Sequence, residues 1–131
     1  MSPSPDHAAP TIVVVEDDEH VLASLKFSLE IDGFAVTLFR SAEELLEGQL
    51  GLPQSKAAAC LVVDLLLPGM DGLDLVSRLR AEGVDTPAFL ITSSPPAHVR
   101  QRAAAAGVAI VGKPLLGNAL ADLIRSTIET P

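Results

Sequence analysis

The chain of 131 residues has no tryptophan, no tyrosine and only four phenylalanines. It therefore has almost no rings to stack on nucleic-acid bases. Basic residues are also scarce: 9 Lys and Arg stand against 17 Asp and Glu, a formal net charge of −8. Such a chain repels phosphates and anionic membranes, so it is expected to bind neither DNA nor a membrane by itself. No segment reaches the roughly 18 apolar residues that span a bilayer. The opening MSPSPDHAAP has no basic stretch and no apolar stretch, unlike a secretory signal. The single cysteine, Cys60, cannot form an internal disulfide and fits a reducing cytosol. It lies inside the apolar run ACLVVD, which predicts a small core residue and not a redox group. A cytoplasmic location is expected.

What is present is aliphatic and alternating. Apolar residues make up 48% and charged residues 20%, a globular composition. Residues 1–10, rich in Pro, Ser and Ala, read as a flexible tail. Residues 11–129 read as one folded domain, with no output domain after it. TIVVVED, FAVTLF, ACLVVD, PAFLIT and VAIVG read as five strands. Between them lie helical patterns. In EHVLASLKFSLEIDG, Val21, Leu22, Leu25 and Leu29 recur at helical spacing, and Gly33 marks a stop. SAEELLE opens with Ser41 and has Glu44 three residues on, a capping box. GQLGLPQSK is expected to be a loop. GLDLVSRLRAEG places Leu73, Val76 and Leu79 on one face. SSPPAHVRQRAAAAG is a helix entered through prolines, stiff at its start or beginning late. LLGNALADLIRSTIE is the last helix. Five alternations of strand and helix imply an α/β fold, a parallel sheet with helices on both faces.

In such a sheet, ligands bind beyond the carboxyl ends of the strands. Those ends carry Glu16, Asp17, Asp64, Thr92 and Lys113. Three acids, a hydroxyl and an ammonium thus map to one rim. Crowded carboxylates are costly unless a cation neutralises them. Oxygen ligands favour a hard divalent ion, Mg²⁺ with Mn²⁺ as the alternative, bound weakly because few protein ligands reach it. With that charge balanced, a carboxylate can attack phosphorus and form an aspartyl phosphate. Lys113 and Thr92 are placed to bind phosphoryl oxygens. Each residue also has a plainer role. Asp18 and its neighbours could be a helix cap, Asp64 a loop carboxylate, Thr92 a cap and Lys113 a solvated lysine. Their arrival on one rim is what favours the chemistry.

The motifs VVVEDDE, VVDLLLPGMDGLDL, FLITS and GKP, in this order, resemble the CheY-like receiver domain of two-component response regulators. The stretch EHVLASLKFSLEIDGFAVTLFRSAEELL resembles the FixJ-type subgroup. The resemblance implies a doubly wound, flavodoxin-like (βα)5 fold with strand order 2-1-3-4-5. It implies Asp64 as phospho-acceptor, and Glu16, Asp17, Asp64 and the Leu66 carbonyl as Mg²⁺ ligands. Thr92 becomes the switch hydroxyl, Lys113 the phosphoryl-binding lysine, and Pro114 a proline after a cis bond. It implies a sensor histidine kinase as donor, then a downstream protein or phosphotransferase as partner, with a phosphorylation-dependent homodimer as a further option. Two departures stand out. Glu16 occupies a place where Asp is commoner. Ile110 stands where Tyr or Phe is usual, so no ring can turn inward as Thr92 moves.

The expected function is a phosphorylation switch or phosphate sink that catalyses its own phosphorylation and dephosphorylation, and not a conventional enzyme. One rival is a degenerate receiver acting as a phosphorylation-independent interaction module. Another is a small phosphohydrolase, for which no second acid–base residue is evident.

Overall fold

The computed structural model describes residues 9–93, 95–112 and 119–129. Five parallel strands form one sheet: β1 (Thr11–Val15), β2 (Ala35–Phe39), β3 (Cys60–Asp64), β4 (Ala88–Thr92) and β5 (Ala109–Gly112). Their order is β2-β1-β3-β4-β5, as the resemblance implies. Among the described residues six helices flank the sheet: α1 (Glu19–Ile31), α2 (Ala42–Glu47), α3 (Gly51–Ala57), α4 (Gly72–Ala81), α5 (Ala97–Ala105) and α6 (Ala119–Glu129).

The two faces of the sheet bury separate cores, because successive side chains in a strand point to opposite sides. On one face Val13, Val15, Leu61, Val63 and Leu90 pack with Leu45, Leu73, Leu79 and Val99 from α2, α4 and α5. On the other, Ile12, Val14, Val62 and Ile91 pack with Leu22, Leu25 and Leu29 of α1 and Ile124 of α6. The central strands β3 and β4 are buried along their whole length. That is why their sequences read as unbroken apolar runs.

Caps set the helix starts. Asp18 accepts from the main-chain N–H groups of His20 at 2.9 Å and Val21 at 3.2 Å. Ser41 accepts from Glu44 N–H at 3.0 Å, while the Glu44 carboxylate reaches back to Arg40 N–H at 3.3 Å. Asp71 accepts from Asp74 N–H at 2.8 Å and starts α4.

One expectation needs correction. The stretch read as a loop, GQLGLPQSK, carries α3. Its start has no side-chain cap, so the usual signal is missing. Tertiary contacts form it instead. Gly51 is buried directly against the Leu45 backbone, where a Cβ would collide. The carbonyl of the fully buried Ser55 accepts from the Thr86 hydroxyl at 2.6 Å. Of the two outcomes expected for the helix over 93–107, the structure shows the late start, at Ala97, with Pro96 in the capping position. Pro95 and Pro96 precede the helix and do not form its first turn. In the last helix, residues 115–118 lie outside the described residues.

Cys60 is buried in β3, as its neighbours predict. Burial pushes its thiol from 9.0 up to about 12, against a smaller opposing effect of the Leu61 backbone. The folded protein therefore keeps a proton that the unfolded chain has already lost. This contribution to stability is whole below pH 9 and is lost between pH 9 and about 12. At pH 8 the native thiol should resist a disulfide reagent that labels the urea-unfolded chain at once. Equal rates in the two states would show that Cys60 is not held in the core.

Candidate functional site

The site follows from strand register. Val15 of β1 lies opposite Val63 of β3, so the next residues, Glu16 and Asp64, emerge side by side. The ladders run one residue beyond the strands. Glu16 N–H donates to the Phe39 carbonyl at 3.0 Å, and Leu65 N–H to the Ile91 carbonyl at 2.9 Å. Both acids therefore stand on backbone that is still part of the sheet.

One carboxylate oxygen each from Glu16, Asp17 and Asp64 lies within 4.8 Å of the others. Glu16 and Asp64 are 1% and 4% exposed, whereas Asp17 faces solvent. Each buried carboxylate accepts a main-chain N–H. Asp17 N–H donates to Glu16 at 3.1 Å and Leu66 N–H donates to Asp64 at 3.2 Å. These bonds reduce the cost of burying the two acids without removing the crowding. The adjoining Asp18 is turned away and caps α1. The acidic run thus divides, with two residues in the cluster and one on the helix.

Gly72, which opens the helical stretch GLDLVSRLRAEG, shapes this corner. It is the first residue of α4, and its N–H donates to the Leu65 carbonyl at 2.9 Å. A Cβ there would meet the Asp64 carbonyl and lie 2.9 Å from Val63 Cγ1. Only glycine lets α4 start directly behind Asp64. The glycine after MD was the visible signal, but nothing in sequence spacing shows the close approach.

Thr92 ends β4, buried, opposite Gly112 of β5. Ile110 sits two residues earlier on β5, opposite Leu90, half-buried against the core. Ser93, Pro95, Arg100, Ile110 and Gly112 line a cavity of about 310 Å³ beside Thr92. The expected lysine, Lys113, and Pro114 lie outside the described residues.

Three clustered carboxylates at an open rim are the donor set of a hard divalent cation, and the residues present fit Mg²⁺.

Residues 12–125 match the response regulator receiver domain family. The chain belongs to that family. The receiver domain is 33% identical to the transcriptional regulatory protein FixJ of Bradyrhizobium diazoefficiens over 119 residues, 90% of this chain and 56% of FixJ. It is 35% identical to the C4-dicarboxylate transport transcriptional regulatory protein DctD of Rhizobium meliloti over 85 residues, 65% of this chain and 18% of DctD. The chain thus spans about half the length, or less, of these curated relatives. The receiver domain of HemR from Leptospira biflexa superposes with a TM-score of 0.81 at 27% identity, covering 93% of this chain and 96% of that one. A CheY-like receiver from Methanospirillum hungatei has the same fold at 23% identity and a TM-score of 0.80, covering 92% and 94%. Among the described residues, no helix of this receiver domain is long and apolar enough to cross a membrane.

Crowding at the acidic rim makes a stability prediction. Asp17→Asn should stabilise the metal-free protein by roughly 0.5–2 kcal/mol in urea unfolding, the usual range for relief of an unfavourable charge. Saturating Mg²⁺ should cancel or reverse that gain, because the variant has lost a ligand. A variant less stable than the parent without metal would mean that the acids do not strain the fold.

Proposed function

We propose that this receiver domain accepts a phosphoryl group on Asp64 from a sensor histidine kinase and signals through protein contacts or drains phosphoryl groups from that kinase. The observation that carries this reading is the convergence of Glu16, Asp17 and Asp64 within 4.8 Å at the rim where Thr92 also ends its strand. Glu16, Asp17, Asp64 and the Leu66 carbonyl are the proposed holders of Mg²⁺ or Mn²⁺. When bound, the cation neutralises charge on the carboxylates and on the phosphoryl oxygens.

The chain's own residues supply the rest. An Asp64 oxygen attacks phosphorus. An oxygen–phosphorus bond forms as the donor's nitrogen–phosphorus bond breaks, and the departing imidazole keeps the electron pair. The sheet holds the Asp64 backbone still, so little entropy is lost in reaching the attacking geometry. Leu66 N–H holds the other face of the carboxylate. The Thr92 hydroxyl donates to a phosphoryl oxygen, and Lys113 is assigned to pair with another. Hydrolysis of the acyl phosphate by water returns the carboxylate, so the domain catalyses only its own turnover.

The proposal extends to the domain's setting. Residues 11–129 act as the receiver unit and 1–10 as a tail, in the cytoplasm, without direct contact to DNA. A downstream protein, a phosphotransferase or a second copy reads the phosphorylated state. Ile110 favours a second reading, a phosphorylation-independent interaction module, because it supplies no ring to couple Thr92 to the surface.

Incubation with acetyl phosphate and Mg²⁺ separates the two readings. The intact mass should rise by one phosphoryl group, and Asp64→Asn should show no gain while keeping its fold. Full labelling of that variant would move the acceptor elsewhere, and no labelling of the parent would favour the interaction module.

The switch has its own test. Ile110 is β-branched and stiff at χ1, so movement is assigned to the loop after Thr92 and to α5. With beryllofluoride bound, changes in amide exchange should concentrate in residues 92–106. Silence there with a strong response around Ile110 would overturn this account.

A further inference from the structure

The segment that follows Asp64 has to be held as firmly as Asp64 itself, because it carries the Leu66 carbonyl. Its inner side is secured by burial of Leu65 and Leu67. Leu67 N–H and Gly72 N–H both donate to the Leu65 carbonyl, at 3.2 and 2.9 Å. Its outer side has less to hold it. Leu66 is 75% exposed, and Pro68 and Gly69 face solvent.

A side chain from another element reaches this outer arch. Glu43, in the first turn of α2, accepts a hydrogen bond from Met70 N–H at 3.4 Å, across 27 residues of sequence. Gly69 has a φ of +75°, and a Cβ on it would lie 2.9 Å from Glu43 Oε2 and 3.3 Å from Oε1. The glycine thus answers two demands together. It takes a left-handed turn that L side chains avoid, and it clears the space the carboxylate enters. Glu43 itself is well anchored. The Ser41 and Glu44 bonds fix the start of α2, and the neighbouring Ala42 and Leu45 are buried in the core.

Sequence gave Glu43 no part in the site. Its neighbour Glu44 completes the cap, so the pair EE reads as a helix start and nothing more. In the structure the two acids have different tasks, one local and one tertiary.

We propose that Glu43 is a positioning residue: by accepting from Met70 N–H it fixes the Pro68–Met70 arch, and with it the Leu66 backbone that leads into the cation site. This rests on the assignment of Leu66 as a metal ligand. The hydrogen bond is at the long end of the range, so the effect is expected to be moderate.

The test uses Glu43→Ala and Glu43→Gln in the full chain. Glutamine keeps an acceptor oxygen and loses the charge. In the metal-free protein, amide exchange at Met70 should speed up in Glu43→Ala and stay near the parent rate in Glu43→Gln. Mg²⁺ affinity, read by calorimetry, should fall about tenfold in Glu43→Ala, the low end for loss of an outer-shell partner, and be restored in Glu43→Gln. Unchanged exchange at Met70 in Glu43→Ala overturns the proposal. So does faster exchange with unchanged Mg²⁺ affinity, since the arch would then not position the site. If Glu43→Gln behaves like Glu43→Ala, the effect is one of charge and the bracing role is wrong. If the parent binds no Mg²⁺, the metal reading fails, while the exchange measurement still decides whether Glu43 braces the arch.

Discussion

The site depends on two buried carboxylates being held side by side at the ends of adjacent strands. Glu16 and Asp64 leave adjacent strands at the same level, because Val15 and Val63 are in register. Nothing local favours that pairing. It persists because each strand is fixed by apolar burial on both faces, far more area than the acids can disturb. An acidic rim carried by a buried apolar core offers the donor set of a divalent cation. Such placement of unfavourable charge is ordinary at functional sites and is offset elsewhere in the fold.

The same logic explains the surroundings. The ladder bonds of Glu16 N–H and Leu65 N–H extend the sheet just far enough to include the buried acids. Gly72 removes one side chain so that α4 begins against the Asp64 carbonyl. Asp18 sits next to the cluster yet turns to cap α1, which keeps a third acid of the run out of the cluster.

Most of the fold was legible because its signals are local. Apolar runs marked the five strands, and Asp18, Ser41 and the spacing of Leu22, Leu25 and Leu29 marked helices. The acids at strand ends were legible for a similar reason: a parallel sheet places all carboxyl ends on one rim. What escaped was tertiary. α3 has no capping side chain and owes its form to Gly51 against Leu45 and Ser55 against Thr86. The late start of α5 depends on where Pro95 and Pro96 turn the chain, and sequence allowed either outcome. Glu43 was hidden behind Glu44, because a capping box accounts for an acidic pair without any distant partner. The close packing of Gly72 on Asp64 likewise has no counterpart in spacing.

Ile110 shows how one residue can redirect a shared design. An aromatic side chain at this position would link the buried hydroxyl of Thr92 to the surface by swinging between two places. Isoleucine has no such pair of positions, since branching at Cβ confines χ1. The cavity of about 310 Å³ beside it leaves room for change, and its lining names the elements able to use that room. Ser93 and Pro95 belong to the loop leaving β4, Arg100 to α5, and Ile110 and Gly112 to β5. Of these, β5 is tied to β4 by the sheet ladder, whereas the loop and the uncapped start of α5 are not. On the proposed phosphorylation switch, a pull on Thr92 would be taken up by the loop after β4 and by α5, and not by a rotamer change at Ile110. The free-energy difference that a phosphoryl group would exert on Thr92 would then go into moving backbone, and not into turning a ring.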